Sequence, residues 1–389
     1  MTFKVTNIIA RYNSKSGGPP RTVTEIAAAG AGHWHSDLFT TDYRESASDS
    51  LLLREFPGQV NILPASSDSL IGGFSMVTGI RRHYRVRLLQ GVAPDVIHIH
   101  GVWSAYLAAF ALTALRKGIP LVVTPHGMLE PWSLQVHSAR KSLAMLLFQR
   151  KILTRAAAIH ATSNMEADNI RRLGIGSAPV FVVPNSVADP DPLYSVAEPP
   201  AAMVGTRTLL FLSRIHEKKG LDILLQAWNQ TRPRRWRLLI VGSGEAKYEA
   251  NLRRFCQIHD VPDVEFKPHV EGAEREATFR EASAFILPTY SENFGNVVAE
   301  ALIRGLPVIT TTGTPWSDLV KERCGWYIEP TVEELMRVIA EATSSDESML
   351  AQMGARGRRY AIDHFTLPVV REGLLNMYRT AIDGRNGAT

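Results

Sequence analysis

Short apolar runs alternate along the chain with longer stretches in which apolar residues recur at helical spacing. That alternation predicts a parallel sheet whose strands are joined by crossover helices. In the first half the candidate strands are Val5–Ile9, Asp95–Ile99, Leu121–Thr124, Ala158–Ala161 and Val180–Val183. A proline-rich stretch with Pro184, Pro190, Pro192, Pro199 and Pro200 follows and reads as an interdomain hinge. The alternation then restarts with Thr208–Ser213, Arg237–Val241, Val264–Lys267, Ala284–Leu287 and Pro307–Thr310. The expected fold class is α/β, with two doubly wound, Rossmann-like domains facing across a cleft. The first spans 1–190 and the second 200–367, with a last helix over 368–389 folding back onto the first. At 389 residues the chain is too long for one ordinary core.

Composition narrows the function classes. The apolar fraction of 45% supports globular folding, and no run reaches the roughly 18 apolar residues a membrane span needs. Met1–Ala10 reads as a first strand rather than a signal peptide. Cys256 and Cys324 are the only cysteines, without metal-ligand spacing, which fits a reducing cytoplasm. Charge is uneven: residues 1–190 carry 19 Lys/Arg against 12 Asp/Glu, and residues 191–389 carry 24 against 26. Between 80 and 155 the count is 11 against 2, from Arg81, Arg82, Arg85 and Arg87 to Lys151 and Arg155. No nucleic-acid-binding motif accompanies this basicity, so nucleic acid is not an expected partner. An anionic membrane surface or an anionic acceptor fits it better, and both stay open.

The most informative stretch is Ser291-Glu-Asn-Phe-Gly-Asn-Val-Val-Ala-Glu-Ala-Leu302, which reads as a loop entering a helix after the strand Ala284–Leu287. The N–H groups of Asn296, Val297 and Val298 then lack intrahelical partners and suit an anion such as a diphosphate. Glu300 lies four residues beyond Asn296, on the same helical face, and can reach hydroxyls beside that anion. Glu292, in the loop, can accept from a second polyol. A diphosphate between two polyols is a nucleotide-sugar. Either glutamate alone is as well explained by a helix dipole or by solvent.

Further motifs sit at strand ends. Arg214 and Lys219, in Phe211-Leu-Ser-Arg-Ile-His-Glu-Lys-Lys-Gly-Leu221, can converge on a leaving diphosphate, or merely form a solvated basic turn. Gly242 opens Gly-Ser-Gly244 after a strand, where glycine lets backbone approach a ligand, but position 247 is Lys and the dinucleotide fingerprint is incomplete. Gly17 and Gly18 follow the first strand and can admit a phosphate or simply turn the chain. His98 and His126, each near a strand end, are expected at a cleft rim, with His126 the better candidate for the transferred sugar. Structural hydrogen bonding is the competing fate. Trp103, Trp132 and Trp316 offer sugar-stacking faces or core packing.

Taken together, Glu292-x7-Glu300 with Phe294-Gly295, Gly305-Leu-Pro-Val-Ile309, Arg214…Lys219-Gly220 and Thr124-Pro-His-Gly127 resemble the retaining glycosyltransferases of family 4, of GT-B fold. Trp132, Ala157–Ser163 and Thr314-Pro-Trp316 resemble the branch that builds bacterial lipopolysaccharide and exopolysaccharide. The resemblance implies that Arg214 and Lys219 bind the diphosphate, Glu300 the ribose, Glu292 the donor sugar, and Asn296 and Val297 the phosphates. It places His126 near the reacting sugar. It implies metal-independent, retaining transfer without a separate cofactor, from a nucleotide-diphosphate-sugar donor, a UDP-sugar being favoured over a GDP-sugar. The acceptor is then a saccharide or lipid-linked saccharide, and the enzyme cytoplasmic or peripheral on the inner face of the plasma membrane. Asp189-Pro-Asp191, in the hinge, is read as linker rather than a metal site. A nucleotide-sugar 2-epimerase of the same architecture is the alternative.

Overall fold

The computed structural model describes residues 2–12, 18–41, 53–63, 93–175, 178–190 and 206–386. The chain divides into two compact units, Met1–Ser186 with Leu367–Thr389, and Val187–Thr366.

The first unit is built on a seven-stranded sheet in the order β3-β2-β1-β4-β5-β6-β7. Its strands are β1 (Phe3–Ile9), β2 (Trp34–Thr41), β3 (Gln59–Leu63), β4 (Val96–His100), β5 (Leu121–Thr124), β6 (Ala158–Ala161) and β7 (Val180–Val182). All the pairings are parallel, so helices must cover both faces. One face packs Ile8, Ile97, Ile99, Leu121 and Ile159 against the helix Ala105–Arg116. The other packs Val5, Val96, Val122 and Ala158 against Val370, Leu374, Met377 and Tyr378 of the C-terminal helix Leu367–Asn386. That helix therefore completes the core of the first unit.

The second unit carries a six-stranded parallel sheet in the order β10-β9-β8-β11-β12-β13. Its strands are β8 (Arg207–Leu212), β9 (Trp236–Val241), β10 (Val264–Lys267), β11 (Ala284–Leu287), β12 (Val308–Thr311) and β13 (Gly325–Ile328). Leu238–Val241 and Ala284–Leu287 are buried throughout, as strands covered on both faces must be. Two Rossmann-like units are thus the architecture.

Three strands escape the sequence reading. Trp34–Thr41 mixes His35, Ser36, Asp37, Thr40 and Thr41 with its apolar residues, and Gln59–Leu63 and Gly325–Ile328 are short edge strands. Each sheet reverses direction once, between β1 and β4 in the first and between β8 and β11 in the second. Ligands of open parallel sheets bind beyond the carboxyl ends of strands at such a reversal.

Candidate functional site

In the second unit the segments leaving β8 and β11 meet at the reversal. The β8 segment runs through Arg214 and a single 3-10 turn, Glu217–Lys219, before the helix Leu221–Thr231. Gly220 joins turn and helix at φ 68°, and a Cβ there would stand 2.1 Å from the Pro288 carbonyl. Only glycine allows the two segments this close. The Tyr290 N–H donates to the Lys218 carbonyl at 2.8 Å, and the Thr289 hydroxyl lies 2.8 Å from the same oxygen.

This stitching brings Lys219 Nζ onto Glu292 Oε1 as a hydrogen-bonded ion pair, shielded from solvent on both sides. The Thr289 hydroxyl lies 3.2 Å from Oε1, and the Glu292 N–H donates to the Gly313 carbonyl at 2.7 Å. Burial pushes the Glu292 pKa up. The Lys219 ammonium, helped by Lys218 and Thr289, outweighs it and holds the carboxyl below its ordinary range. Arg214, by contrast, is exposed and makes no hydrogen bond or ion pair among the described residues.

The helix Asn296–Ile303 starts from Gly295 at φ 77°. The turn before it is anchored by Phe294, whose carbonyl accepts from Trp316 Nε1 at 2.5 Å and whose ring packs on Trp316 and Phe365. Trp316 is thus a buried support for the loop and not a sugar-stacking face. Val298 N–H donates to Gly295 O at 2.8 Å, which removes it from the anion-binding donors expected from the sequence. Asn296 and Val297 are the first and second residues of this helix. One turn on, Glu300 is buried and ion-paired with Arg275 of the helix Gly272–Arg280. Arg304 ties the same two helices, donating to the Glu300 carbonyl at 2.8 Å and to Glu276 at 3.0 Å. Arg275 carried no signal in the sequence.

Gly242 has a reason other than the one its motif suggested. A Cβ at Gly242 would stand 1.9 Å from the Ser213 carbonyl, and one at Gly244 1.7 Å from the Ile215 carbonyl. Both glycines make room for the segment bearing Arg214, which pairs with them through Ser213 N–H to Val241 O and Ile215 N–H to Ser243 O, each 3.1 Å. Asp189 lies against Arg358 at 2.9 Å, and Asp191 lies outside the described residues. Among the described residues no group of three His, Cys, Asp or Glu could hold a metal ion.

In the first unit, Gly17 lies outside the described residues, as do Arg81, Arg82, Arg85 and Arg87. Gly18 precedes the helix Pro19–Ala29, whose first two residues are prolines and offer no N–H, so that helix start has little to give a phosphate. His98 is not at a rim but fully buried, as is His100 beside it. His160 Nε2–H donates to the Val183 carbonyl at 2.8 Å, which leaves its Nδ1 to accept from the Thr124 hydroxyl at 2.9 Å. Thr124 Oγ1 then accepts from His98 Nε2–H at 2.6 Å, and His98 Nδ1 accepts from the Tyr378 hydroxyl at 2.8 Å. Every hydrogen in the chain is assigned, and each imidazole is neutral. Burial, reinforced by repulsion between the rings, holds His98 and His100 well below the ordinary value, and burial pushes His160 down to about 4.

His126 is half-buried, at φ 53° in the turn that leaves β5. His100 Nε2–H donates to Asn7 Oδ1 at 3.2 Å, so its Nδ1 accepts from His126 Nε2–H at 3.1 Å. The lone pair of His126 is then on Nδ1, and burial with repulsion from His160 pushes this ring down to about 3. Glu166, which the sequence reading passed over, accepts from the Gly127 N–H at 2.7 Å. Its signal was Ser163-x-x-Glu166, a helix-start pattern, and Ser163 Oγ does accept the Glu166 N–H at 3.1 Å. Trp103 Nε1–H donates to the Met128 carbonyl at 3.1 Å, whereas Trp132 is half exposed. Beyond it Leu146 and Leu147 stand 81% and 63% exposed.

Comparison with known proteins supplies the context for these two sites. Residues 17–186 match the glycosyl transferase 4-like domain, and residues 206–345 match the glycosyl transferases group 1 family. The chain is 32% identical over 229 residues to a D-inositol 3-phosphate glycosyltransferase of Pseudarthrobacter chlorophenolicus, covering 56% of this chain and 54% of that protein. It is 27% identical over 180 residues to the capsular polysaccharide biosynthesis glycosyltransferase CapM of Staphylococcus aureus, covering 46% and 47%. The chain thus spans about half the length of these relatives. Among solved structures, HepE of Anabaena in complex with UDP and glucose superposes with a TM-score of 0.75 at 18% identity, covering 96% of this chain and 98% of that one.

Proposed function

Since the chain belongs to the glycosyltransferases of GT-B fold, joining a 4-like domain to a group 1 domain, we propose that it moves a sugar from a nucleotide-diphosphate-sugar to a saccharide or lipid-linked saccharide, with retention of anomeric configuration. The observation that carries this reading is the Lys219–Glu292 pair at the β8/β11 reversal, which joins the segment bearing Arg214 to the loop that leads into the helix Asn296–Ile303. Arg214 and Lys219 take the diphosphate, with the Asn296 and Val297 N–H groups on its oxygens. Glu300 accepts from the ribose and Glu292 from the donor sugar. His126 is assigned the contact with the transferred sugar.

The transfer then needs no protein nucleophile. The acceptor oxygen forms the new bond to the anomeric carbon as the bond to the diphosphate breaks. The departing diphosphate oxygen takes the acceptor proton, and the cations stabilise the charge it gathers. Those same cations stand where a metal would, so the reading is metal-independent. A UDP-sugar is the preferred donor, supported by the likeness of fold to a protein solved with UDP and glucose. A role in surface polysaccharide synthesis is supported by the likeness to CapM. Epimerase chemistry is not favoured, because the matched families are named for glycosyl transfer.

Leu146 and Leu147, with Trp132 and the exposed Arg150, Lys151 and Arg155 nearby in sequence, fit docking on an anionic membrane face. Described helices include none long and apolar enough to cross a bilayer.

The test is a thermal-shift screen of UDP-, GDP- and ADP-sugars, followed by assay of nucleoside diphosphate release. A UDP-sugar should raise the melting temperature by mass action, and release should rise when lipid-linked saccharides are added. Stabilisation by no nucleotide-sugar would refute the donor assignment, and conversion of donor alone to a second sugar would favour the epimerase. For the membrane, sedimentation with phosphatidylglycerol vesicles should fade with salt and with L146S/L147S, and no binding at low salt would end that part.

A further inference from the structure

Glu166 is 1% exposed, and a carboxylate so far from water has to be satisfied by donors. It is. Oε2 accepts from the Thr162 N–H at 2.7 Å and the Thr162 hydroxyl at 3.0 Å, while Oε1 accepts from the Gly127 N–H at 2.7 Å. An ordinary capping glutamate bends back to the N–H of its own cap residue. This one instead spans from the helix Asn164–Arg172 behind β6 to the turn behind β5, 39 residues away in sequence.

The peptide it reaches is the one joining His126 to Gly127. Pinning the N–H of that peptide fixes its plane and hence the ψ angle of His126. His126 and Gly127 are consecutive left-handed residues, at φ 53° and 72°. A non-glycine residue keeps such a conformation only where its surroundings hold it. Around this turn the Met128 N–H bonds Pro125 O and the Glu130 N–H bonds Gly127 O, each at 3.2 Å. Those contacts close the turn locally. Glu166 is the contact that ties it to a second helix. On the ring side His126 is held by His100 at 3.1 Å. Backbone and ring are therefore fixed from opposite directions, the backbone by Glu166.

We propose that Glu166 is the positioning residue for His126, setting the direction from which that imidazole meets the transferred sugar. The inference rests on the role given to His126 above. A Gln at 166 cannot substitute. It keeps the volume but replaces one acceptor by an NH2 group, which faces an N–H donor whichever way the amide is turned.

The experiment compares the wild-type enzyme, E166Q, H126A, the H126A/E166Q double variant and T162V, in steady-state transfer from UDP-sugar. E166Q should lose about 10²-fold in kcat, the scale of a small misplacement of a reacting group, with the donor KM within about two-fold. The double variant should be no slower than H126A, since two residues acting as one unit are not additive. T162V, which leaves the carboxylate and both N–H donors in place, should lose a few-fold in kcat. Wild-type kcat in E166Q, or losses that multiply in the double variant, would overturn the inference while leaving the role of His126 intact. Full activity in H126A would remove that role and the inference with it. If E166Q melts below the assay temperature, T162V decides, and wild-type kcat there overturns the proposal.

Discussion

Mild acid should unfold the first unit well before ordinary carboxylates titrate. His98, His100, His126 and His160 are all held below the ordinary value of 6.5 in the folded chain. A depressed histidine pKa means that the unfolded chain binds protons more readily. The stabilisation is therefore complete above pH 6.5 and is lost as the pH falls below it. His160 alone, moving from 6.5 to about 4, carries 2.5 pKa units. At 1.36 kcal/mol per unit this is about 3 kcal/mol. With all four rings neutral in the fold and charged out of it, the slope below pH 6 approaches about 5 kcal/mol per pH unit. An ordinary domain has only about 5–15 kcal/mol in total. Glu292 acts in a separate window, since its depressed pKa costs stability only as the pH falls below 4.5. The assay is urea unfolding at half-unit steps from pH 7.5 to 4.5, with hydrogen exchange read separately on β4–β6 and β8–β12. Exchange in β4–β6 should accelerate from pH 6 downward, ahead of the second unit. Stability that stays flat between pH 7 and 5, or a slope below one proton, would refute the assignment of neutral, fully bonded imidazoles.

Other perturbations separate residues that sequence treats alike. Arg214→Ala should cut transfer about 10²–10³-fold with an unchanged melting temperature, because the exposed side chain makes no hydrogen bond or ion pair among the described residues. Lys219→Ala should cost comparable activity and also stability, by about 3 kcal/mol, since it leaves Glu292 shielded and unpaired; equal melting temperatures for the two variants would contradict the pairing. Arg275→Ala should weaken donor binding measured by calorimetry with kcat little changed, because the guanidinium holds the Glu300 carboxylate; an unchanged Kd would show that Glu300 is oriented without it. Transfer should persist in EDTA, and complete loss that Mn²⁺ or Mg²⁺ restores would end the metal-independent reading.

Much of the architecture was legible because parallel strands covered on both faces are written as apolar runs. Leu238–Val241 and Ala284–Leu287 leave no polar position to confuse the reading. β2 fails the same test although most of it is buried, because Ser36 and Thr40 point into the interior without contributing apolar character. His98 misleads for the opposite reason. A histidine near a strand end suggests a polar rim, yet the His98 ring is buried in a chain of bonds that ends on the Val183 carbonyl and on Tyr378 of the C-terminal helix. No local pattern announces that Tyr378, 280 positions away, will supply the donor His98 needs.

The donor site shows where reading residues one by one stops. Arg214, Lys219, Glu292 and Glu300 all stand out in the sequence, but their charges do not act as four independent groups. Lys219 is consumed by Glu292, and Glu300 by Arg275, so both carboxylates are already neutralised before any ligand arrives. Of the two cations, Arg214 is the one that makes no ion pair among the described residues, so on the proposed reading it meets the diphosphate directly while Lys219 is shared with Glu292. Arg214 stands exposed on a segment that Gly242 and Gly244 allow to lie close to the end of β9. Replacing either glycine would move that segment by the width of a Cβ contact and carry Arg214 with it. On the proposed reading the glycines would serve diphosphate binding by placing that cation.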